Sequence, residues 1–573
     1  MEGPNYWQRL QRKRLSRRTL LAAGATTAIG GAAALVVGCG GDDGNGNGTP
    51  RPTRPQGSPG QPVPGGSVTS GRSLSALGID PHIDLTGADI DTLLYSYLYS
   101  WVPGREEFVL NNLAEEFEQP DPEHLQFIFT LRQGVKAHPI EGNPAAGEEM
   151  TSEDCKQSFI RRGTSITAPD KRFPHKIAGS SDPAMLPPAL LTPDRYTFSF
   201  NMAEPFVPSI REMANFTWAI VPAKVIDEYT SLAQVAYGSG PFMLEEFRGN
   251  ERIVLKRHPE YYLSPRPWLD GITYIVIQEN SSLLAAFKNG QHDINGGILT
   301  KADFEEYSEN EDYVTAKAPS LFYPVIHLKM KPPFDDPRVR KAIDLALNRD
   351  EFIAVISGGE GNYNGPIQWP QTKWALPQEE LRAFYKSDPD QAKALLSDAG
   401  YENGFKSRMK LPKLSGIQIV GDIAVVIKDQ LSRVGIDVQL DEVELGAFIG
   451  STLLPGNFEM TFFPNLPYDE PDRPLSFYHS LGVTGSGNWN NYSNKELDKL
   501  IEAQSIEFDE AKRKDIIYQA QRLILEEHGP QITLSGGYTY TAHWNYVHFP
   551  NEIGTDPPAD AGPFGVDIWT DKA

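Results

Sequence analysis

Residues 465–477, NLPYDEPDRPLSF, place Asp469, Glu470, Asp472 and Arg473 within five positions, interrupted by Pro467, Pro471 and Pro474. Four kinds of chemistry use such a set. Two carboxylates can divide acid and base roles in hydrolysis. Several carboxylates can hold a hard cation. One partly desolvated carboxylate can clamp an ammonium. Asp and Pro are also ordinary turn residues, and Asp472 beside Arg473 reads as a solvated pair. Glu148 and Glu149 offer a second adjacent acidic pair, of a kind common in surface loops. The 11 histidines are scattered, with none paired at metal-ligand spacing. His327, in VIHLKM, alternates along a strand and reads as a core or cleft residue. The chain has no Gly-x-Ser-x-Gly, no His-Glu-x-x-His and no Gly-x-x-x-x-Gly-Lys motif. No metal, cofactor or catalytic residue is therefore expected.

The two cysteines have separate roles. Cys39 ends a stretch with a basic region (Arg9 to Arg18), a mildly apolar run (Leu20–Val37) and a small-residue site, Val36-Val37-Gly38-Cys39. That is the order of a secretory signal. The pair Arg17-Arg18 resembles a twin-arginine export signal, and the Val-Val-Gly-Cys ending resembles a lipobox, in which Cys39 is lipidated. A transmembrane anchor is the alternative, but the run is 18 residues long and contains Gly24, Gly30 and Gly31, which weaken partition at the lower edge of spanning length. Residues 1–38 are accordingly read as a signal peptide and 39–65, rich in Gly and Pro, as a disordered tether. Cys155, in TSEDCKQSFI, then has no partner and reads as core packing on a helix.

The chain of 573 residues carries a formal charge of −22, and its first 38 residues hold six basic groups against one acidic. The remainder is more acidic still, which excludes nucleic acid as a bulk electrostatic partner. About 500 residues after the tether exceed one core and imply two or three lobes. Short alternating runs, FIFTLRQGV, TFSFNM and RIVLKRH, predict strands. GITYIVIQE predicts a strand buried on both faces, followed by a short helix that stops at Gly290. Residues 335–356 predict one helix capped by Asp336, with Pro337 in its first turn. Residues 422–444 predict a helix, a stop at Gly435 and a strand. Two amphipathic helices near the C-terminus precede a last strand run, PQITLSGGYTYTAHW.

Four segments together resemble the family 5 extracellular solute-binding proteins, the dipeptide-, oligopeptide- and nickel-binding lipoproteins of bacterial ABC importers. They are SGPFMLEEFRGNERIVLKRHPEYYL (239–263), KPPFDDPRVRKAIDLALNRDEF (331–352), LAEEFEQPDPEHLQFIFTLRQGVKAH (113–138) and NNYSNKELDKLIEAQ (490–504). The resemblance implies an α/β, two-lobed periplasmic-binding-protein-like fold with a hinge and an extra domain inserted in the first lobe. Lobe I would hold 66–98, 217–325 and 536–573, the inserted domain 99–216 and lobe II 326–535, with hinge crossings near Tyr323–His327 and Thr533–Gly536. The implied protein is a non-enzymatic monomer, lipid-anchored to the extracytoplasmic face. Its expected partners are a peptide or other small solute, an ABC permease, the twin-arginine translocase and lipoprotein-processing enzymes.

The resemblance also implies a site. Leu85 and Thr86 fall on the family's early ligand-contact loop. Trp369, Phe463, Asn465, Tyr468 and Asp469 are expected at the cleft. The family's peptide binders hold the ligand's ammonium with an Asp at the position occupied here by Pro467; Asp469 follows two residues later and Asp472 five. Either can substitute through a shifted turn, with Asp469 the better cleft candidate and Asp472→Asn expected to be near neutral; otherwise the amine site is lost. Two other readings stay open: a secreted hydrolase using the 469–472 acids, which chromogenic glycosides and esters would reveal, and a sensor presenting its ligand to a receptor.

Overall fold

The computed structural model describes residues 61–572, apart from 85, 102–107, 110–111, 166–171, 321, 372, 415–418, 465–469, 481–486 and 550–565. Arg17, Arg18, Cys39, Leu85, Asn465, Tyr468 and Asp469 lie outside the described residues. Gly65, expected at the end of a tether, is already tied down: its N–H donates to the Trp268 carbonyl at 2.7 Å.

Three sheets of four or five strands organise the described residues. In the N-terminal sheet Ser67–Arg72 runs parallel to Gly271–Val276, which pairs antiparallel with Arg252–Arg257, itself beside Phe242–Arg248. The middle sheet is antiparallel throughout, in the order Ala114–Glu118, Gln126–Leu131, Thr197–Asn201, Leu190–Asp194. Its inward alternation is aromatic. Phe127, Phe129, Phe198 and Phe200 are buried, and the Phe127 and Phe200 rings stack 4.8 Å apart. Each such ring pair adds about 0.5–1.5 kcal/mol beyond burial. The side chains of these two sheets form one continuous core, from Val68 and Ile272 to Phe129 and Phe200.

The C-terminal sheet has its own core. Its order is Ile436–Glu444, Phe405–Lys413, Met460–Phe462, Val325–Leu328, Gln531–Thr533. The helix Ile419–Ser432 puts Ile423, Ala424, Ile427 and Leu431 against Met409, Leu411 and Val438, the i, i+4, i+8 stripe of a helix seated on a sheet. It stops at Gly435, whose φ of +91° an L side chain would resist. Separate cores make two lobes: the N-terminal and middle sheets in one, the C-terminal sheet in the other.

The chain passes between the lobes twice, side by side. The pair Tyr313–Pro319 and Tyr538–Trp544 belongs to the first lobe, and Val325–Leu328 with Gln531–Thr533 to the second. Between them, Ser320 N–H donates to the Gly537 carbonyl at 3.0 Å and Leu534 N–H to the Pro324 carbonyl at 3.1 Å. The final strand run is accordingly broken into three pieces rather than continuous. The 335–356 helix is two helices, Pro337–Ala346 and Arg349–Ile356. Asp336 caps the first as expected. Leu347 turns extended, and the Asn348 side chain accepts the Asp350 and Glu351 N–H groups, starting a second helix.

Candidate functional site

In the first lobe, Thr86 sits in the loop that follows Ser67–Arg72. Buried Arg72 organises it, pairing with Asp89 and donating to the Thr86 carbonyl and, at 2.7 Å, to the Leu74 carbonyl. Thr86 is buried and its hydroxyl is spent within the loop, accepting from Leu77 N–H at 2.8 Å and donating to Asp84 at 2.7 Å. Thr86 therefore shapes this loop through its side chain. Asp80 anchors the loop to the helix Ser152–Thr164 through two bonds to Arg161, at 2.5 and 2.7 Å. The Arg161 guanidinium also meets His82 Nδ1 at 2.9 Å. Burial, then that guanidinium, push the imidazole down to about 3, so His82 is neutral. Asp91, on the next helix, is fully buried with neither carboxylate oxygen bonded. Burial, then Asp84, Asp89 and Asp80, raise its carboxyl well above the usual range, which favours the neutral acid.

The second lobe contributes two segments. Trp369 is half-buried beside the crossing; its backbone N–H donates to the Asn364 side chain at 3.1 Å and its ring stands edge-on to Tyr538 at 5.7 Å. A Cβ on Gly536 would lie 2.8 Å from Trp369 Nε1 and 3.2 Å from Asn364 Nδ2, so only glycine lets the crossing strand pass this close. Phe463 follows the strand Met460–Phe462. Its backbone N–H donates to the Val325 carbonyl at 3.2 Å, and its ring packs on Phe448 at 5.5 Å. In the sequence, residues 465–469 come next.

From Glu470 onward the described chain holds buried ion pairs, not a solvated turn. The expectation that Asp472 pairs with Arg473 at the surface is incorrect: Asp472 is buried and its partner is Arg172, from the helix Arg172–Ala178, with Gln504 donating to the same carboxylate. Glu470 pairs with Arg513, whose side chain is fully buried and donates to Gln504 Oε1 at 3.0 Å. Burial of Pro474 and Leu475 carries the short helix Asp472–Ser476, and its charges with it, into the lobe.

The Arg172–Asp472 pair also joins the middle-sheet region to the second lobe. Two neighbours reinforce it: Val207 N–H donates to the Ser505 carbonyl at 2.7 Å, and the His124 and Phe508 rings lie 4.8 Å apart. At the crossings, Glu360 of the second lobe meets Lys301 and Lys317 of the first. Hydrogen bonds from the two lysines hold its carboxyl down at about 2. The lobes thus touch at the crossings and again at 172–472.

Other candidates fall away from this place. His327 is a core residue, fully buried, with burial pushing it down to about 4. Glu148 pairs with Lys224 and Glu149 with Arg195, both at the surface. Cys155 is buried on its helix as expected. No cluster of metal-ligating side chains occurs among the described residues. Sequence reasoning missed Arg172, Gln504 and Arg513. Arg172 stands 300 positions from Asp472, and no local pattern announces such a partner.

Two lobes with separate cores, joined by two adjacent crossings, define a hinged binding protein. The chain belongs to the bacterial extracellular solute-binding proteins, family 5, whose middle-region model matches residues 109–488. It is 25% identical over 449 residues to the oligopeptide-binding protein AppA of Bacillus subtilis strain 168, covering 74% of this chain and 77% of that one. Its fold is that of the periplasmic binding protein DppA from Helicobacter pylori, solved with the peptide STSA, at a TM-score of 0.75 and 22% identity, covering 89% of this chain and 99% of that one. MoaA from A. tumefacien R10, solved with mannopinic acid, superposes with a TM-score of 0.76 at 21% identity, over 88% of this chain and 99% of that one.

Proposed function

We propose that this chain is the lipid-anchored substrate-binding component of an ABC importer. It captures a peptide or similarly sized solute between two closing lobes and delivers it to a membrane permease. The observation that carries this reading is the hinged two-lobe architecture with its paired crossings. The oligopeptide-binding and peptide-bound relatives support a peptide; the mannopinic acid complex of MoaA supports a wider solute range within one fold. Lobe I comprises 66–98, 217–325 and 536–573, the inserted domain 99–216 and lobe II 326–535, behind a signal at 1–38 and a tether that begins at Cys39 and ends before Gly65. The protein acts without catalysis.

In this reading Leu85, Thr86, Trp369, Phe463, Asn465, Tyr468 and Asp469 line the cleft. Pro467 has no carboxylate, so Asp469 holds the ligand's ammonium. An ammonium held in a partly desolvated site loses about 3–5 kcal/mol when its partner is removed. Asp469→Asn should weaken an amine-bearing peptide at least roughly a hundredfold, about 2.7 kcal/mol. Mass spectrometry of solute released from the purified protein names the ligand, and titration calorimetry of that ligand on wild type and Asp469→Asn tests the clamp. Wild-type affinity in the variant would leave a neutral solute as the cargo. Export is tested separately. Arg17→Lys with Arg18→Lys should retain precursor in the cytoplasm, because Lys lacks the planar guanidinium fork. Cys39→Ala should abolish fatty-acid labelling, and a labelled variant would refute the lipobox.

A further inference from the structure

The strand Phe405–Lys413 alternates sharply. Ser407, Met409 and Leu411 are buried, while Lys406 and Arg408 face outward with Lys410 beside them. The outward face lines an open groove of about 620 Å³. Five cations reach it: Lys331, Lys406, Arg408, Lys410 and Lys428, against the carboxylates Asp437 and Glu459. Both acids are engaged. Asp437 lies 3.8 Å from Lys406, and Glu459 accepts the Arg408 backbone N–H at 3.0 Å and the Ser407 hydroxyl at 3.1 Å. The groove therefore carries an excess of positive charge on a chain whose formal charge is −22.

Its place in the fold separates it from the lobe junction. Phe405–Lys413 runs parallel to Ile436–Glu444 and to Met460–Phe462. Phe463 stands past the C-terminal end of the last of these, whereas the groove is built from 406–410, 437–439 and 457–459, near the strands' N-terminal ends. With Met409 level with Met460, the groove centre lies roughly 15 Å from Phe463 at about 3.3 Å per residue. The groove thus opens at the other end of these strands from Phe463.

We propose that this groove is a docking surface for the phosphate headgroups of an anionic membrane. Charges more than about 8 Å apart are largely screened at physiological ionic strength. A surface within reach thus responds to the local cations, not to the net charge of the chain. Basic groups near an anionic leaflet are drawn to it. The proposal rests on the anchoring reading in one respect, the lipidation of Cys39. Lipidation at Cys39 would hold the folded lobes close to the headgroups.

The test places a dye at residue 439 (Gln439→Cys) on the lipidated chain in vesicles containing a headgroup-labelled quencher. A matched dye at residue 390 (Asp390→Cys), whose side chain is 99% exposed, serves as the control position. Quenching at 439 should be at least threefold greater on vesicles with 30% phosphatidylglycerol than on pure phosphatidylcholine. It should fall to the control level in 0.5 M NaCl and in a Lys331→Glu, Arg408→Glu, Lys428→Glu variant. Circular dichroism and melting of that variant establish that it is folded. If it is not, Lys406→Gln with Arg408→Gln replaces it. Equal quenching on both vesicles would overturn the proposal. So would loss of the signal with millimolar inorganic phosphate at constant ionic strength, which would make this a site for a soluble anion. The mass of the N-terminal peptide reports separately whether Cys39 is lipidated, so failed anchoring is distinguishable from a failed groove. Residues 1–38 are common to wild type and variant, so their difference reads the groove even in a chain that keeps its leader.

Discussion

Asp472 illustrates what one residue's neighbours can reverse. In the sequence it stands beside Arg473, and the economical reading is a surface pair worth almost nothing. In the fold it is buried against Arg172 and Gln504. Asp472→Ala should destabilise the protein by about 3–5 kcal/mol, because it leaves the Arg172 guanidinium without its carboxylate. Urea unfolding measures this, and an unchanged midpoint would restore the surface reading. Asp91 makes a different prediction. Its carboxyl is raised by burial above the unfolded value of about 3.9. A raised acid contributes stability that is full below the unfolded pKa and is lost as pH rises through the folded one. Asp91→Asn should therefore make the protein more stable than wild type at pH 7 and flatten the decline in melting temperature from pH 4 upward. A variant that keeps the wild-type slope would show that Asp91 does not titrate in this way. Neither behaviour was legible in the sequence. Local spacing reveals capping, as at Asp336, but not which charge arrives from 300 positions away.

At the scale of elements, the sequence was most legible where one face repeats. The Phe127-Phe129-Leu131 alternation and the 423–427–431 stripe became a strand and a helix because burial enforces their periods. Gly290 and Gly435 both adopt positive φ, 69° and 91°, where the sequence placed stops. The single helix expected over 335–356 was wrong for a local reason: Asn348 competes for the backbone of the next turn and restarts the helix. Asn348→Ala should cost about 1 kcal/mol as a lost N-cap, read as a lower melting temperature with unchanged helix content elsewhere. Stability within a few tenths of wild type would mean that packing of Phe352 and Ile353, not the cap, starts that helix. The candidate site was legible only in outline. Trp369 and Phe463 stand at the lobe junction and at the end of a second-lobe strand. Thr86, by contrast, spends its hydroxyl on its own loop.

For the whole molecule, the two lobes have separate main cores and are joined by two short crossings. The contacts around Arg172 and Asp472 are the second tie between lobes. Two-lobed binding proteins move by hinge closure, and a ligand that touches both lobes shifts the population toward the closed form by its differential affinity. The most direct test is small-angle X-ray scattering of the purified protein, stripped of bound solute and then titrated with the solute identified by mass spectrometry. The radius of gyration should fall on saturation, at the concentrations where calorimetry reports binding. Identical scattering curves with and without bound solute would contradict capture between closing lobes.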